Sequence, residues 1–402
     1  MYGNKIVAAV AMGIALAATS AAAENAPGVS ATEIRIGQTM PYSGPASAYA
    51  VIAKFETLYF DMVNEQGGIN GRKVVLLSRD DGYNPAKTVE ATRRLVEEEQ
   101  VAFIFNSLGT APNTAIEKYL NERKIPQIFV SAGADKFGDY QNFPWTIGYQ
   151  PSYRTEAQVY AKYILKTQPE AKIGVFYQND DFGKDYVRGL KDVLGDRYAQ
   201  MVVKEATYEV TDTTVDNQII SLQAAGVDTL VTGATPKFAA MAIRKVYALG
   251  WRPTHFLTNV SVSVSSVIEP VGMEKAVGII SAAYHKDPGE PAFKNDPGLK
   301  SYRQFMRQHL PDADATDVNY VFGYSTSLLL IQVLKQCGND LSRENIMRQT
   351  TDLRNVELPT LLPGIRVNTS PVDYHPVRQL QLMRWDGHTW VRFGEILGGE
   401  QS

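Results

Sequence analysis

This 402-residue chain has almost no cysteine: Cys337 is the only one, so no disulfide can close within it. Cys337 follows the apolar run 328–334 and reads as a small core residue, not a reactive thiol. An excess of basic charge is also missing. Forty Lys and Arg face 43 Asp and Glu, a formal net charge of -3, which argues against a phosphate-binding surface for nucleic acid. The five histidines, His255, His285, His309, His375 and His388, are scattered without ligand spacing. Each reads as a surface or capping residue, and neither a metal nor a cofactor is expected. No G-x-G-x-x-G follows the opening strand, no G-x-x-x-x-G-K-[ST] occurs and no G-x-S-x-G elbow is present, so dinucleotide, P-loop and hydrolase chemistry lack their frames. After residue 23 no apolar run is long enough to span a bilayer.

What is present begins with an export leader. Lys5 supplies a positive start, residues 6–18 are apolar, and Ala21, Ala22 and Ala23 suit cleavage after residue 23. Removing Lys5, the one charge in that leader, takes the formal charge from -3 to -4. The remainder is too long for one ordinary core and comfortable for two.

Strand-like and helix-like segments then alternate almost without a break, the pattern of parallel sheets covered on both faces. Strands are expected at 33–38, 73–78, 101–105 and 127–131, with helices between them, giving a βαβαβαβ first unit. Asn84 before Pro85 predicts a capped helix start. A second series follows residue 149, with strands at 172–177, 201–208, 228–232, 254–258 and 277–283. Residues 260–266, alternating Val and Ser, read as a loop or short strand. Helices at 299–310, 319–337 and 343–351 come next, and Trp385-Asp386-Gly387-His388 predicts the turn of a closing hairpin. The late helices pack most economically back on the first unit. The expected architecture is two Rossmann-like α/β lobes joined by a multi-crossing hinge. Residues 24–148 and 285–365 form one lobe, and 149–284 and 366–402 the other.

In parallel sheets, ligands bind beyond the carboxyl ends of the strands, where helix N-termini aim their amides. The loop Asn106-Ser107-Leu108-Gly109-Thr110 is the best candidate for an anion, although Ser and Thr there also suit ordinary capping. Tyr42, Tyr83, Tyr149, Tyr153, Phe182 and Phe238 fall at or beside such loops, where rings supply contact area at low entropic cost. Asp80-Asp81 and Asp180-Asp181 could do acid–base work or hold a cation, but read first as turn and cap residues.

Residues Ile36-Gly37, Pro41-Tyr42-Ser43-Gly44-Pro45, Gly67-Gly68-Ile69-Asn70-Gly71 and Asp80-Asp81-Gly82-Tyr83-Asn84-Pro85, in that order, resemble the type I periplasmic solute-binding proteins. More narrowly, the chain is similar to their branched-chain amino-acid binding branch, which serves ATP-driven importers. The resemblance implies a periplasmic monomer without catalysis, whose lobes close on a small molecule and dock on an inner-membrane ABC permease. In the amino-acid binders, the loop matching Ser107, Gly109 and Thr110 holds the ligand carboxylate. The next element reads Ala132-Gly133-Ala134 here and loses a hydroxyl, Phe182-Gly183 replaces a Tyr-Gly pair, and the ammonium's acidic partner falls at Val260, beside Asn259. The segment 234–240, with Thr235 and Lys237, and Asn259-Val260-Ser261 look like the aromatic-acid binders of the family. An ammonium buried without a carboxylate is costly, so an apolar or aromatic carboxylic acid is expected. Three alternatives stay open: a hydrophobic amino-acid binder using Asp181, Glu209 or Asp212, a ligand sensor, and an exported enzyme.

Overall fold

The computed structural model describes residues 25–398, so the expected leader at 1–23 lies outside the described residues. Alternation buries Ile34 and Ile36 in strand β1 (Glu33–Met40), and a four-three repeat puts Ile52, Phe55 and Tyr59 on the inner face of α1 (Ala50–Glu65). β2 (Lys73–Asp80) follows, and then α2 (Pro85–Arg93), where Asn84 accepts hydrogen bonds from the Ala86 and Lys87 amides. β3 (Ile104–Phe105), α3 (Thr110–Glu122), β4 (Gln127–Val130) and β5 (Thr146–Gly148) complete a parallel sheet of order β2-β1-β3-β4-β5. The sequence pattern indicates only four strands there. The fifth is three residues long, too short to show periodicity, and forms because Gln127 donates its amide to the Trp145 carbonyl at 2.7 Å.

The second lobe opens with α4 (Tyr153–Thr167), β6 (Ile173–Gln178) and α5 (Asp181–Leu194). A single turn α6 (Tyr198–Met201), β7 (Val202–Tyr208), α7 (Asp216–Ala224), β8 (Thr229–Gly233), α8 (Pro236–Ala248) and β9 (Thr254–Leu257) continue it. A further turn α9 (Glu269–Val271) precedes β10 (Ile280–Ala283). The chain then runs through α10 (Pro297–His309), α11 (Val318–Cys337) and α12 (Arg343–Thr350) before β11 (Gln379–Trp385) and β12 (Trp390–Gly398) return to the second sheet. Its order is β12-β11-β10-β9-β8-β6-β7, parallel except for the antiparallel β10-β11-β12 end. Residues 260–266 are neither loop nor strand: Asn259–Ser261 is a 3-10 turn and Val264–Ile268 a π turn. Their serines bond locally instead of to a ladder; Ser261 Oγ donates to the Ala234 carbonyl at 2.6 Å, and Ser263 caps the second turn.

The late helices pack on the first lobe. Gly323 of α11 approaches α1 so closely that a Cβ would lie 2.9 Å from the Ile52 carbonyl oxygen. Phe55 meets Phe305, Tyr324 and Tyr302 at ring separations of 4.6, 5.6 and 6.0 Å. The lobes are thus joined between β5 and α4, between β10 and α10, and before β11. Near the last crossing, Tyr374 donates to the Pro144 carbonyl and His375 Nε2 lies 3.3 Å from Asp135. Cys337 is buried in α11, where burial pushes its thiol up to about 12.

Each lobe also seals in a glutamate. Glu56 of α1 accepts from Gln38 Nε2 at 2.6 Å and Thr326 Oγ1 at 2.9 Å, and burial raises it to about 8. The folded protein therefore keeps this proton until about pH 8, whereas the unfolded chain releases it near the ordinary value of 4.5. The stability Glu56 contributes is fully present below 4.5 and is lost as pH rises towards 8. Glu56→Gln should remove that loss, so its melting temperature should gain on the wild type across this window. A difference that stays constant with pH in calorimetry would show that Glu56 does not hold its proton in the fold.

Candidate functional site

The carboxyl ends of both parallel sheets open on one cleft, with about 830 Å³ of empty space including its mouth. That size suits a small molecule. Tyr49, Tyr83, Leu108, Gly109 and Ser131 line it from the first lobe, and Tyr153, Phe182, Thr235, Asn259 and Val260 from the second. Gln150, Tyr284, His285 and Asp287 come from the crossings, and Asn319 and Phe322 from α11.

One end is built around Gly109, the residue before α3. Its φ of 98° suits glycine, and no side chain caps the helix there, so the positive end of α3 is left for another partner. A Cβ at 109 would lie 2.4 Å from the Tyr83 ring, so the glycine also makes room for that tyrosine. Leu108 bridges in parallel to Ser131, bringing the Ser131 side chain to the same end. Gln150 adds an amide: its Nε2 is buried with no hydrogen-bond partner among the described residues. Gly133 lets the first crossing pack this closely, since a Cβ there would sit 2.8 Å from the Pro151 carbonyl oxygen and 3.0 Å from Gln150 Nε2.

Rings form the opposite wall. Tyr153 and Phe182 meet at 4.5 Å between centroids, and Tyr186 lies behind both. Beneath this wall Glu156 accepts from the Tyr186 hydroxyl at 2.6 Å, from the Asn259 backbone amide at 2.7 Å and from Asn259 Nδ2 at 2.5 Å, and also from Tyr160. Burial raises Glu156 to about 7. The side-chain amide of Asn259 is therefore spent on Glu156, and Val260 is left to face the cleft. Burial lowers His285 to about 3, so its imidazole is neutral beside Tyr149 and Tyr284. Neither Lys nor Arg appears among the described lining residues.

Asp287 and Asn319 add polar groups to the lining. Asp287 takes the Gly289 amide at 2.7 Å, and burial pushes it to about 6. Asn319, in the first turn of α11, is 8% exposed, and its Nδ2 has no hydrogen-bond partner among the described residues. Ion pairs tie the lobes together, Lys136 to Asp181 at 3.7 Å and Arg154 to Asp135 at 3.3 Å, and hydrogen bonds join them around the cleft. Tyr49 donates to the Val260 carbonyl at 2.8 Å, Gln178 Nε2 to Tyr83 at 3.4 Å, the Asp135 amide to Asp185 at 2.7 Å, and Ser265 to Asp317 at 3.1 Å.

Of the residues expected to hold ligand, Tyr83, Leu108, Gly109, Tyr153, Phe182, Thr235, Asn259 and Val260 line the cleft. Seven do not. Tyr42 is exposed and donates to Ser78 Oγ, while Ser43 bonds Asp80 through its amide and hydroxyl. Ser107 Oγ accepts the Thr39 amide, and Thr110 is buried with its hydroxyl unpartnered. Ala132 and Gly133 line a separate, smaller cavity beside Tyr374 and His375. Lys237 is exposed, its ammonium 4.9 Å from the Phe238 ring centroid. Of the other rings expected at the cleft, Tyr149 is buried against Phe322 and Phe238 stacks on Tyr208 at 4.2 Å, inside the second lobe.

Three expectations about chemistry need correction. A hydroxyl-bearing residue does line the cleft beside the element that lacks one: Ser131, the residue before Ala132. An acid does line the cleft, Asp287, and with Tyr284 it follows the carboxyl end of β10, a strand end that carried no candidate. His255 and His285 are buried, not surface, residues. Tyr49, Phe322 and Asn319 gave no signal, since they sit inside helical turns. The aspartate pairs serve turns and caps: Asp81 accepts the Tyr83 amide, and Asp180 caps α5 at the Gly183 amide.

A family model described as periplasmic binding protein matches residues 33–389. The Leu/Ile/Val-binding protein homolog 7 of Brucella abortus is 23% identical over 323 residues, which cover 77% of this chain and 79% of that protein. A branched chain amino acid ABC transporter protein from Thermus thermophilus with bound valine superposes with a TM-score of 0.82 at 17% identity, covering 92% of this chain and 97% of that one. The fatty acid ABC transporter substrate-binding protein from Thermomonospora curvata gives 0.79 at 20% identity, covering 94% and 95%. These structures share the two-lobed fold of type I. With its family match running across both lobes and the cleft between them, the chain belongs to the periplasmic binding protein family, whose members bind substrates and are not enzymes.

Proposed function

We propose that this protein is the periplasmic binding component of an ABC importer and that it captures a carboxylic acid with an apolar body, aromatic or aliphatic. The observation that carries this reading is a cleft lined at once by the uncapped start of α3, by the Tyr153 and Phe182 rings and by Gln150, whose unpaired amide also borders the smaller cavity beside Gly133. Amide donors and a helix dipole suit a carboxylate, and Tyr153, Phe182 and Val260 suit a ring or an alkyl chain. The two solved relatives are named for valine and for fatty acid, which share a carboxylate on an apolar body. They differ in the ammonium. An α-amino acid carries its ammonium one carbon from its carboxylate, so the acceptor must stand at the same end. The resemblance puts Val260 where the amino-acid binders carry the acidic partner of the ammonium, which favours an acid without an ammonium. A second reading, a hydrophobic amino acid, rests on the acid that Asp287 brings to the cleft.

A ligand panel decides between them. Cinnamate, benzoate or decanoate should raise the melting temperature, with about 2.7 kcal/mol of stabilisation at a hundred times the dissociation constant. Leucine, valine and phenylalanine should do little. Tight leucine or valine binding without any response to the acids lacking an amine would establish the amino-acid reading instead.

Gly109→Ala tests the acid-holding end. The new Cβ would press on the Tyr83 ring at a backbone angle that favours glycine, moving both the ring and the start of α3. Affinity for the responding acid should fall about tenfold or more, roughly 1.4 kcal/mol, in titrations at a temperature where circular dichroism shows the variant folded. Unchanged affinity would remove this loop from the site.

A further inference from the structure

Asp287 and Asn319 line the cleft and have no role in holding an apolar acid by its carboxylate alone. We propose that they form a second polar subsite, which takes a hydroxyl carried by the acid. The inference rests on the assignment of an apolar carboxylic acid to this cleft and names its subclass.

Asn319 is the stronger pointer. Its side chain is 8% exposed, it lines the cleft, and its Nδ2 is buried with no partner among the described residues. Helix capping does not explain it, because Asp317 is the cap and takes the Asn319 backbone amide at 2.9 Å. The free amide hydrogens require an acceptor. Asp287 lines the same cleft and presents a carboxylate, of which Oδ1 is bonded to the Gly289 amide. That carboxylate requires a donor.

A hydroxyl is the small group that meets both needs, donating its proton to a carboxylate while its oxygen accepts from an amide. A second carboxylate on the ligand would satisfy Asn319 but would face Asp287, with Glu290, Asp314 and Asp317 close by. An ammonium would satisfy Asp287 and leave the Asn319 amide unpaired. Phe322, Tyr284, Val318 and Met383 also line the cleft and are suited to the apolar body of the acid.

Titration calorimetry on the mature protein separates the possibilities, using cinnamate against 4-hydroxycinnamate and decanoate against 10-hydroxydecanoate. The aliphatic pair is flexible and covers a reach that the rigid pair lacks. At least one hydroxylated acid should bind about tenfold more tightly than its parent. In Asp287→Ala and in Asn319→Ala that ratio should fall to about one to two, and binding of the parent acid reports that each variant is folded. The proposal is overturned if the parents bind and hydroxylation gains nothing, or if the gain survives both substitutions. It is also overturned if 10-aminodecanoate binds more tightly than 10-hydroxydecanoate. Failure of all four acids to bind would defeat the carboxylic-acid reading itself, and this inference with it.

Discussion

A polar group sealed away from water costs about 1–3 kcal/mol unless something inside the protein pairs with it. The fold meets this constraint at its buried glutamates and leaves it unmet at several other buried groups, two of them in the cleft. Glu56 and Glu156 are buried acids, each surrounded by neutral donors: Gln38 and Thr326 for one; Tyr160, Tyr186 and Asn259 for the other. Gln150 and Asn319 are buried amides of the same size, and each keeps an unpaired nitrogen. Both of these line the cleft. Other buried atoms without a partner, among them the Thr39, Thr92 and Ser327 hydroxyls, lie inside the first lobe, so it is the position of Gln150 and Asn319 on the cleft that lets their partners be supplied from outside.

The same constraint links the site to the motion that a two-lobed binder needs. The bonds between the lobes include Tyr49 to Val260, Gln178 to Tyr83, the Asp135 amide to Asp185 and Ser265 to Asp317, with the part-exposed ion pairs Lys136–Asp181 and Arg154–Asp135. Each hydrogen bond is worth about 0.5–1.5 kcal/mol net, and water can replace every one of them when the lobes part. The contacts within each lobe are of another order, since the Phe55 cluster and the buried tryptophans Trp385 and Trp390 never leave their cores. Closure is therefore a small free-energy difference set on rigid halves. A ligand that pairs the open amides acts on that difference directly.

Much of this was legible in the chain. Long periodic segments such as α5 and α11 declared themselves, and Asn84, Pro85 and the Asp386-Gly387 turn fixed local boundaries through chemistry that needs no tertiary context. The cleft was legible where it is built from strand-end loops, as at Tyr83, Gly109, Phe182 and Val260. It was not legible where it is built from helix faces and crossings, because Asn319 and Phe322 look like any other residue of a buried helix. A strand end was the second blind spot. β4 ends at Val130, one residue short of the expected end, and Ser131 lines the cleft where Ala132 was expected to. Tyr42 and Ser43 failed for another reason: Ser78 and Asp80 sit on the adjacent strand and hold that loop to the sheet edge.

What family membership leaves open is decided by residues that carry none of the fold's weight. The frame is held by the sheets, the α1–α11 contact and the buried glutamates, and the groups that meet ligand can change without disturbing it. In this chain those groups contain neither Lys nor Arg, and burial keeps His285 neutral. For the proposed acid the negative charge would be met by amides and a helix end, which attract it without pairing it to a fixed cation. Such a cradle depends on the exclusion of water, because the dipoles weaken as the local dielectric rises. Opening the lobes then admits water and loosens the carboxylate in the same step, with no buried cation left to hold it back. A binding protein that must deliver its ligand is served by that coupling of grip to closure.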